Sequence, residues 1–242
     1  MKMKLDFNIK NGLALLVDPD DGNPTEWTML AEKIKGSAVD VVLVGGSFLY
    51  HQNLHACLVA LRSSQKPLIL FPGSNAQIDP AADGILLLSL ISGRNPELLI
   101  GQHVQAAITL KMSGLEIYPT GYVLIDGGKP TTVSYISNTQ PIPNDKPGLA
   151  ASTALAGEQL GMKLIYLDAG SGAKEAISQE VIHLTRSFIQ IPLIVGGGIR
   201  DKAAIQSAWS AGANIVVIGN HAFENAAFMQ EILAIKKQPL FN

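Results

Sequence analysis

The residues best suited to chemistry stand where apolar runs end. The run over 192–198 closes on Gly196-Gly197-Gly198, and the run over 214–220 closes on Gly219-Asn220. A third turn of this kind, Ala169-Gly170-Ser171-Gly172, follows Tyr166-Leu167-Asp168. Glycine lets backbone N–H groups approach an anion without a Cβ in the way, and a helix beginning just beyond adds a favourable dipole. The Ser171 hydroxyl adds a donor. Three converging amide-rich turns would form a phosphate cup, while the competing account is that these glycines only permit tight turns.

A second group of polar residues lies at earlier run ends. Asp18 closes the first run in Val17-Asp18-Pro19-Asp20-Asp21-Gly22, and Gly45-Gly46-Ser47 closes the second. A carboxylate and a hydroxyl from neighbouring segments suit Mg²⁺, which keeps most of its positions for water and substrate phosphate. Asp20 and Asp21 have an alternative use, capping the helix expected from about Pro24. Asp168 and Tyr118 are the candidate catalytic groups, Asp168 as general base, with Glu116 and Tyr122 beside them in the fifth run, against the alternatives of a turn-capping carboxylate and tyrosines that fill the core.

Other reactive types fall away. His51 and His55 have the i, i+4 spacing of a helical metal pair, but no Glu lies between them and no third ligand is evident. His103 and His183 sit in helical stretches far in sequence from any run end, and His221 follows Gly219-Asn220. Cys57, the single cysteine, lies in the apolar stretch 54–61, where a buried inert thiol is expected.

These residues must be held by a repeating scaffold. Apolar, β-branched-rich runs recur at 13–18, 39–46, 67–73, 84–90, 115–126, 163–170, 192–198 and 214–220. They are continuous, not alternating, the pattern of parallel strands covered on both faces. Helical spacing fills most gaps, with Gly36, Gly114, Gly161 and Gly212 placed as left-handed helix stops. Eight such repeats predict an α/β fold, one (β/α)8 TIM barrel over 1–242. An open doubly wound sheet is disfavoured because no Gly-x-Gly-x-x-Gly follows the first run. Only SNAQIDPAAD (74–83) links the third and fourth runs, so the third helix should be missing or reduced. The polar, proline-punctuated stretch 127–148 is a candidate active-site loop.

Of the 242 residues, 47% are hydrophobic and 16% charged, enough apolar material for a large core. A formal charge of −2 with no extended basic block excludes a nucleic-acid footprint. No signal-peptide h-region follows the early lysines, and the longest apolar run, 84–91, is too short to span a bilayer. A cytoplasmic protein with at most peripheral membrane contact is expected, and a single cysteine fits a reducing compartment.

Read in order, LLVDPD (15–20), VVLVGGS (41–47), LEIYPTGYVLIDGG (115–128), YLDAGSGA (166–173), IVGGGIR (194–200) and VVIGN (216–220) resemble the geranylgeranylglyceryl phosphate synthase family, which includes bacterial PcrB-type proteins. The resemblance runs over essentially the whole chain. It implies a modified TIM barrel lacking its third helix, and Mg²⁺-dependent transfer of a polyprenyl group from its diphosphate to the 3-hydroxyl of sn-glycerol 1-phosphate. By the same resemblance Asp18 and Ser47 are Mg²⁺ ligands. Tyr166, Leu167, Asp168, Ala169, Gly170, Ser171 and Gly172, then Gly197 with Gly198, then Gly219 with Asn220, bind glycerol phosphate. The family's acidic residue in the sixth-strand motif is usually Glu, so Asp168 reaches one methylene less. Leu16 stands where one branch has Lys, and with the form AGSG this resembles the second branch, which implies a homo-oligomer, a hexamer or a dimer.

Two rival functions come from other classes. One is a barrel isomerase, aldolase or epimerase of a phosphorylated metabolite, for which neither Lys163 nor Lys202 is placed as a Schiff base. The other is a non-catalytic barrel binding a phosphorylated lipid precursor, whose only sequence support is the Glu-to-Asp change.

Overall fold

The computed structural model describes residues 2–219, 225–233 and 235. Eight parallel strands close into a barrel in sequence order: β1 (Gly12–Val17), β2 (Val41–Val44), β3 (Leu68–Leu70), β4 (Gly84–Leu90), β5 (Glu116–Leu124), β6 (Leu164–Asp168), β7 (Leu193–Gly196) and β8 (Ile215–Ile218). The ring is completed by β8 pairing with β1, Gly12 opposite Ile215. Helices α1 (Pro24–Lys35), α2 (Leu54–Leu61), α3 (Gln102–Ser113), α4 (Thr132–Ser137), α5 (Pro147–Gln159), α6 (Gln179–Phe188), α7 (Lys202–Ser210) and α8 (Ala226–Leu233) follow in chain order. Between β3 and β4 there is only the 3₁₀ turn Asn75–Gln77, so the third helix is absent as expected. No helix among the described residues is long and apolar enough to cross a membrane.

Strand geometry sends alternate side chains to opposite faces, and here both faces are buried. Leu13, Leu15 and Val17 join the layer between strands and helices. Ala14, Leu43, Ile69, Leu86, Tyr122, Leu124, Leu164, Tyr166 and Val217 fill the barrel interior. That parity carries to the strand ends: Asp18 continues Ala14 and Leu16, and Asp168 continues Leu164 and Tyr166. Two carboxylates thereby turn toward the C-terminal mouth. The opposite mouth is plugged by the N-terminal segment, where Phe7 packs edge-on to Tyr118 with ring centroids 4.8 Å apart.

Helix ends follow local chemistry, with three departures from expectation. The cap of α1 is Asn23, whose side chain accepts the N–H groups of Thr25 and Glu26, while Glu26 reaches back to the Asn23 N–H. Asp20 and Asp21 therefore do not cap it. Gly114, Gly161 and Gly212 do adopt positive φ, but Gly36 closes α1 at φ −99°. The stretch 127–148 contains α4, which stops at Asn138 in the left-handed region, a conformation Asn tolerates.

Candidate functional site

Two loops form one wall of the mouth. The Ala169 N–H bonds to the Gly196 carbonyl at 3.0 Å, holding the turn after β6 against the end of β7. Gly197 has φ +84°, and a Cβ on it would lie 2.7 Å from the amide nitrogens of Ala169 and Gly170. At Gly198, φ +71°, a Cβ would lie 2.5 Å from the Glu175 carbonyl oxygen. Only glycine permits this backbone-on-backbone approach. The N–H groups of Ser171, Gly172, Gly197 and Gly198 have no acceptor among the described residues. Unspent amides on two abutting turns make an anion cup. Gly219 closes β8 nearby in the order of the barrel, and Asn220 and His221 lie outside the described residues.

Asp168 stands at the rim, 6% exposed. Its Oδ1 accepts the Gly170 N–H at 2.8 Å, and its Oδ2 accepts the Tyr122 hydroxyl. Burial pushes its carboxyl above the usual carboxylate range, opposed by those two donors. Such a group is fixed in orientation and suited to take a proton. Tyr166 is 1% exposed, stacked on Phe71 at 5.1 Å and edge-on to Tyr122 at 5.6 Å, so it forms the floor beneath Asp168. Leu167 and Ala169 direct their side chains into the outer layer and can meet a ligand only through backbone.

Tyr118 requires correction as a catalytic candidate. Its hydroxyl donates to the Leu5 carbonyl and accepts the Leu5 N–H, both at 3.3 Å, at the plugged end of the barrel. The useful phenol is Tyr122, four residues on and therefore on the same strand face but at the open mouth. Sequence parity put both in the barrel, while only position along the strand separates them.

Across the mouth, Asp18 Oδ1 accepts the Asp20 N–H at 2.9 Å, and Oδ2 lies over Gly46, where a Cβ would be 2.6 Å away. The β2 end is held by Gln77, buried in the turn that replaces the third helix. Its Nε2 donates to the Gly46 carbonyl at 2.9 Å, and its Oε1 accepts the Gly73 N–H at 3.2 Å. Asp20 clamps the same loop by accepting the N–H groups of Tyr50 and His51. Neither Gln77 nor Asp20 was legible as a positioning group, because each acts on backbone far away in sequence. Burial and the neighbouring charges of Asp21 and Asp20 raise the Asp18 carboxyl to about 6, although the Asp20 N–H opposes this. By donor type, the Asp18 carboxylate and the Ser47 hydroxyl at neighbouring strand ends suit a hard divalent cation with few protein ligands. No three His, Cys, Asp or Glu side chains converge among the described residues, so no closed, all-protein cage competes with it.

Between the two walls runs an apolar groove of about 660 Å³ including its open mouth, from Gly46 and Ser47 across Phe71, Leu88 and Leu90 to Tyr122. Leu98, His103 and, from α4, Val133 and Ile136 form its far side. Leu88 and Leu90 come from β4 and Tyr122 from β5. His103, expected to be remote, instead lies in the wall, with Nε2 3.1 Å from the Ser89 hydroxyl. His55 pairs with Asp79 at 3.0 Å and not with a metal partner. Cys57 is fully buried, and burial pushes its thiol up to about 12, so it is inert.

The sequence profile of the PcrB family matches residues 8–238. The chain belongs to the PcrB family. Curated relatives of this PcrB-family chain include the geranylgeranylglyceryl phosphate synthase of Chitinophaga pinensis, 50% identical over 90% of this chain and 87% of that one. That of Thermococcus gammatolerans is 42% identical, covering 90% and 86%. Among solved structures, the (S)-3-O-geranylgeranylglyceryl phosphate synthase of Thermoplasma acidophilum in complex with substrate sn-glycerol-1-phosphate superposes with TM-score 0.86 at 31% identity, covering 94% and 95%. An N-acetylmannosamine-6-phosphate 2-epimerase from Clostridium perfringens, at 12% identity and TM-score 0.57, shares the barrel fold alone with this PcrB-family chain.

Proposed function

We propose that this chain is a geranylgeranylglyceryl phosphate synthase, a prenyltransferase of ether-lipid biosynthesis that joins a polyprenyl group to the 3-hydroxyl of sn-glycerol 1-phosphate. One observation carries the reading: the apolar groove ends at Tyr122, whose hydroxyl bonds Asp168 beside the amide cup. A chain of hydrocarbon and a phosphate monoester would thus meet at one buried carboxylate. The family membership and the named relatives support it.

In this reading the amides of Ser171, Gly172, Gly197 and Gly198, with Gly219 and Asn220, hold the phosphate of glycerol phosphate. The groove takes the prenyl chain of a polyprenyl diphosphate and excludes water. The glycerol 3-hydroxyl attacks the allylic carbon, the bond to the diphosphate breaks, and the hydroxyl proton passes to Asp168. Asp18 and Ser47 would hold Mg²⁺, which when bound supplies neutralising charge for the departing diphosphate. Holding two substrates in line in a dry groove contributes most of the remaining acceleration.

The branch resemblance implies a homo-oligomer, a hexamer or a dimer. Val104, Ile108 and Met112, 69 to 80% exposed along one face of α3, with exposed Ile100 in the turn just before it, support a buried interface there.

The test is incubation with radiolabelled sn-glycerol 1-phosphate, Mg²⁺ and geranylgeranyl diphosphate, with Asp18→Ala and Asp168→Asn in parallel. Butanol-extractable label that disappears in both variants is the expected result. No extractable label with geranylgeranyl, farnesyl or longer diphosphates would sink the synthase reading.

A further inference from the structure

The amide cup carries only partial charges, whereas a phosphate monoester holds about −1.5 to −2 at neutral pH. A full counter-charge would strengthen its binding, and neither Asp168 nor the serine and glycine amides provide one. The loop between β5 and α4 does. A methyl group on Gly172 would lie 3.4 Å from the Lys129 Nζ and 3.9 Å from its Cε, with no other heavy atom within 4 Å. The open face of Gly172 is therefore covered by an ammonium alone.

We infer that Lys129 is the side-chain cation of the glycerol phosphate site, donating from Nζ to a phosphate oxygen held by the Ser171 and Gly172 amides. The inference rests on reading the cup as the phosphate site.

Three features hold the lysine there. The Asp126 Oδ1 accepts the Gly128 N–H at 2.9 Å, which folds the loop tip back on itself. The Gly127 carbonyl accepts the N–H groups of Lys174 at 2.8 Å and Glu175 at 3.1 Å, stapling this loop to the one after β6. A Cβ on Gly170 would meet the Thr131 side chain at 2.7 Å, so the two loops are packed as well as hydrogen-bonded.

Competing uses of the charge are absent. No carboxylate lies within ion-pair distance of Lys129 among the described residues. Arg200, another cation of this wall, is committed to the Ala173 carbonyl at 2.7 Å. The segment also continues directly into α4, whose Val133 and Ile136 line the groove. One short stretch thus faces the phosphate at its start and the hydrocarbon path at its end.

The test compares wild type, Lys129→Met and Lys129→Arg by calorimetric titration with inorganic phosphate and with sn-glycerol 1-phosphate, and by steady-state kinetics. Because the lysine is solvent-exposed, the expected loss in Lys129→Met is about tenfold in affinity for both anions, the lower end for a charge-assisted bond. The KM for glycerol phosphate should rise about as much, with kcat and the KM for the prenyl diphosphate within about twofold, and Lys129→Arg should recover most of the loss. Wild-type affinity for both anions in Lys129→Met would overturn the assignment, as would a loss confined to the prenyl diphosphate. If wild type binds phosphate, Lys129→Met weakens it and no prenyl transfer occurs, the assignment stands while the synthase reading falls. If wild type binds neither anion, the cup and the lysine fall together.

Discussion

The Tyr122 hydroxyl donates to a carboxylate that burial has already moved upward, and it stabilises the charged form. Removing it in Tyr122→Phe should raise the Asp168 carboxyl further. The base is then protonated over a wider range, so the acid limb of the pH–kcat profile moves to higher pH. A hydrogen bond to a charged group contributes about 1.5 to 3 kcal/mol, so kcat at neutral pH should fall by roughly ten- to a hundredfold. The pH–rate profile checks both. Asp168→Asn keeps the shape but not the basicity, and kcat should fall by about 10² to 10⁴, with glycerol phosphate affinity by calorimetry nearly unchanged. Equal losses in binding and turnover would show that Asp168 only shapes the cup.

At the scale of elements, the absent third helix is replaced by a working turn. Gln77 is 4% exposed and spends its amide on Gly46 and Gly73, tying the ends of β2 and β3 together. Gln77→Ala leaves those backbone groups without partners. It should destabilise the fold by about 1 to 3 kcal/mol in denaturant unfolding and raise the Mg²⁺ concentration needed for half-maximal transfer. The β6–α6 and β7–α7 loops depend on glycine in the same way. Gly197→Ala forces a Cβ to within 2.7 Å of two amide nitrogens at φ +84°, and calorimetry should show loss of phosphate binding while circular dichroism still reports a barrel.

Over the whole molecule, the barrel keeps two carboxylates in poorly solvated positions, Asp18 at about 6 and Asp168 also raised. A raised folded-state value means the native protein holds a proton where the unfolded chain has released it. Between about 6 and the ordinary carboxylate range Asp18 therefore adds stability as pH falls, above about 6 the burial of its charge works against folding, and Asp168 acts in the same direction. Metal-free protein should melt at a higher temperature near pH 5.5 than near pH 7.5 as far as these groups act. Mg²⁺ should raise the melting temperature at pH 7.5, and Asp18→Ala should abolish both its own pH contribution and the metal's effect. A melting temperature indifferent to Mg²⁺ in wild type would remove Asp18 and Ser47 as its ligands. The exposed α3 stripe is also a property of the whole surface, and Ile108→Glu should lower the mass seen in light scattering if it lies in an interface.

Much of this was decided by sequence alone, for a physical reason. Continuous apolar runs at regular spacing can be satisfied only by strands covered on both faces, so the barrel and its missing third helix were legible. Glycines and carboxylates at run ends must fall at one mouth of such a barrel, which placed Asp18, Ser47, Asp168 and the amide turns together. Distance along a strand and contacts across the barrel were not legible, because side-chain period says which face a residue occupies and not which end it serves. Tertiary structure therefore chose Tyr122 over Tyr118, moved the α1 cap from Asp20 or Asp21 to Asn23, brought His103 into the groove wall, and gave Gln77 and Lys129 their positions. Each of these depends on partners brought together by closure of the sheet, and the closed ring exists only once all eight strands have paired.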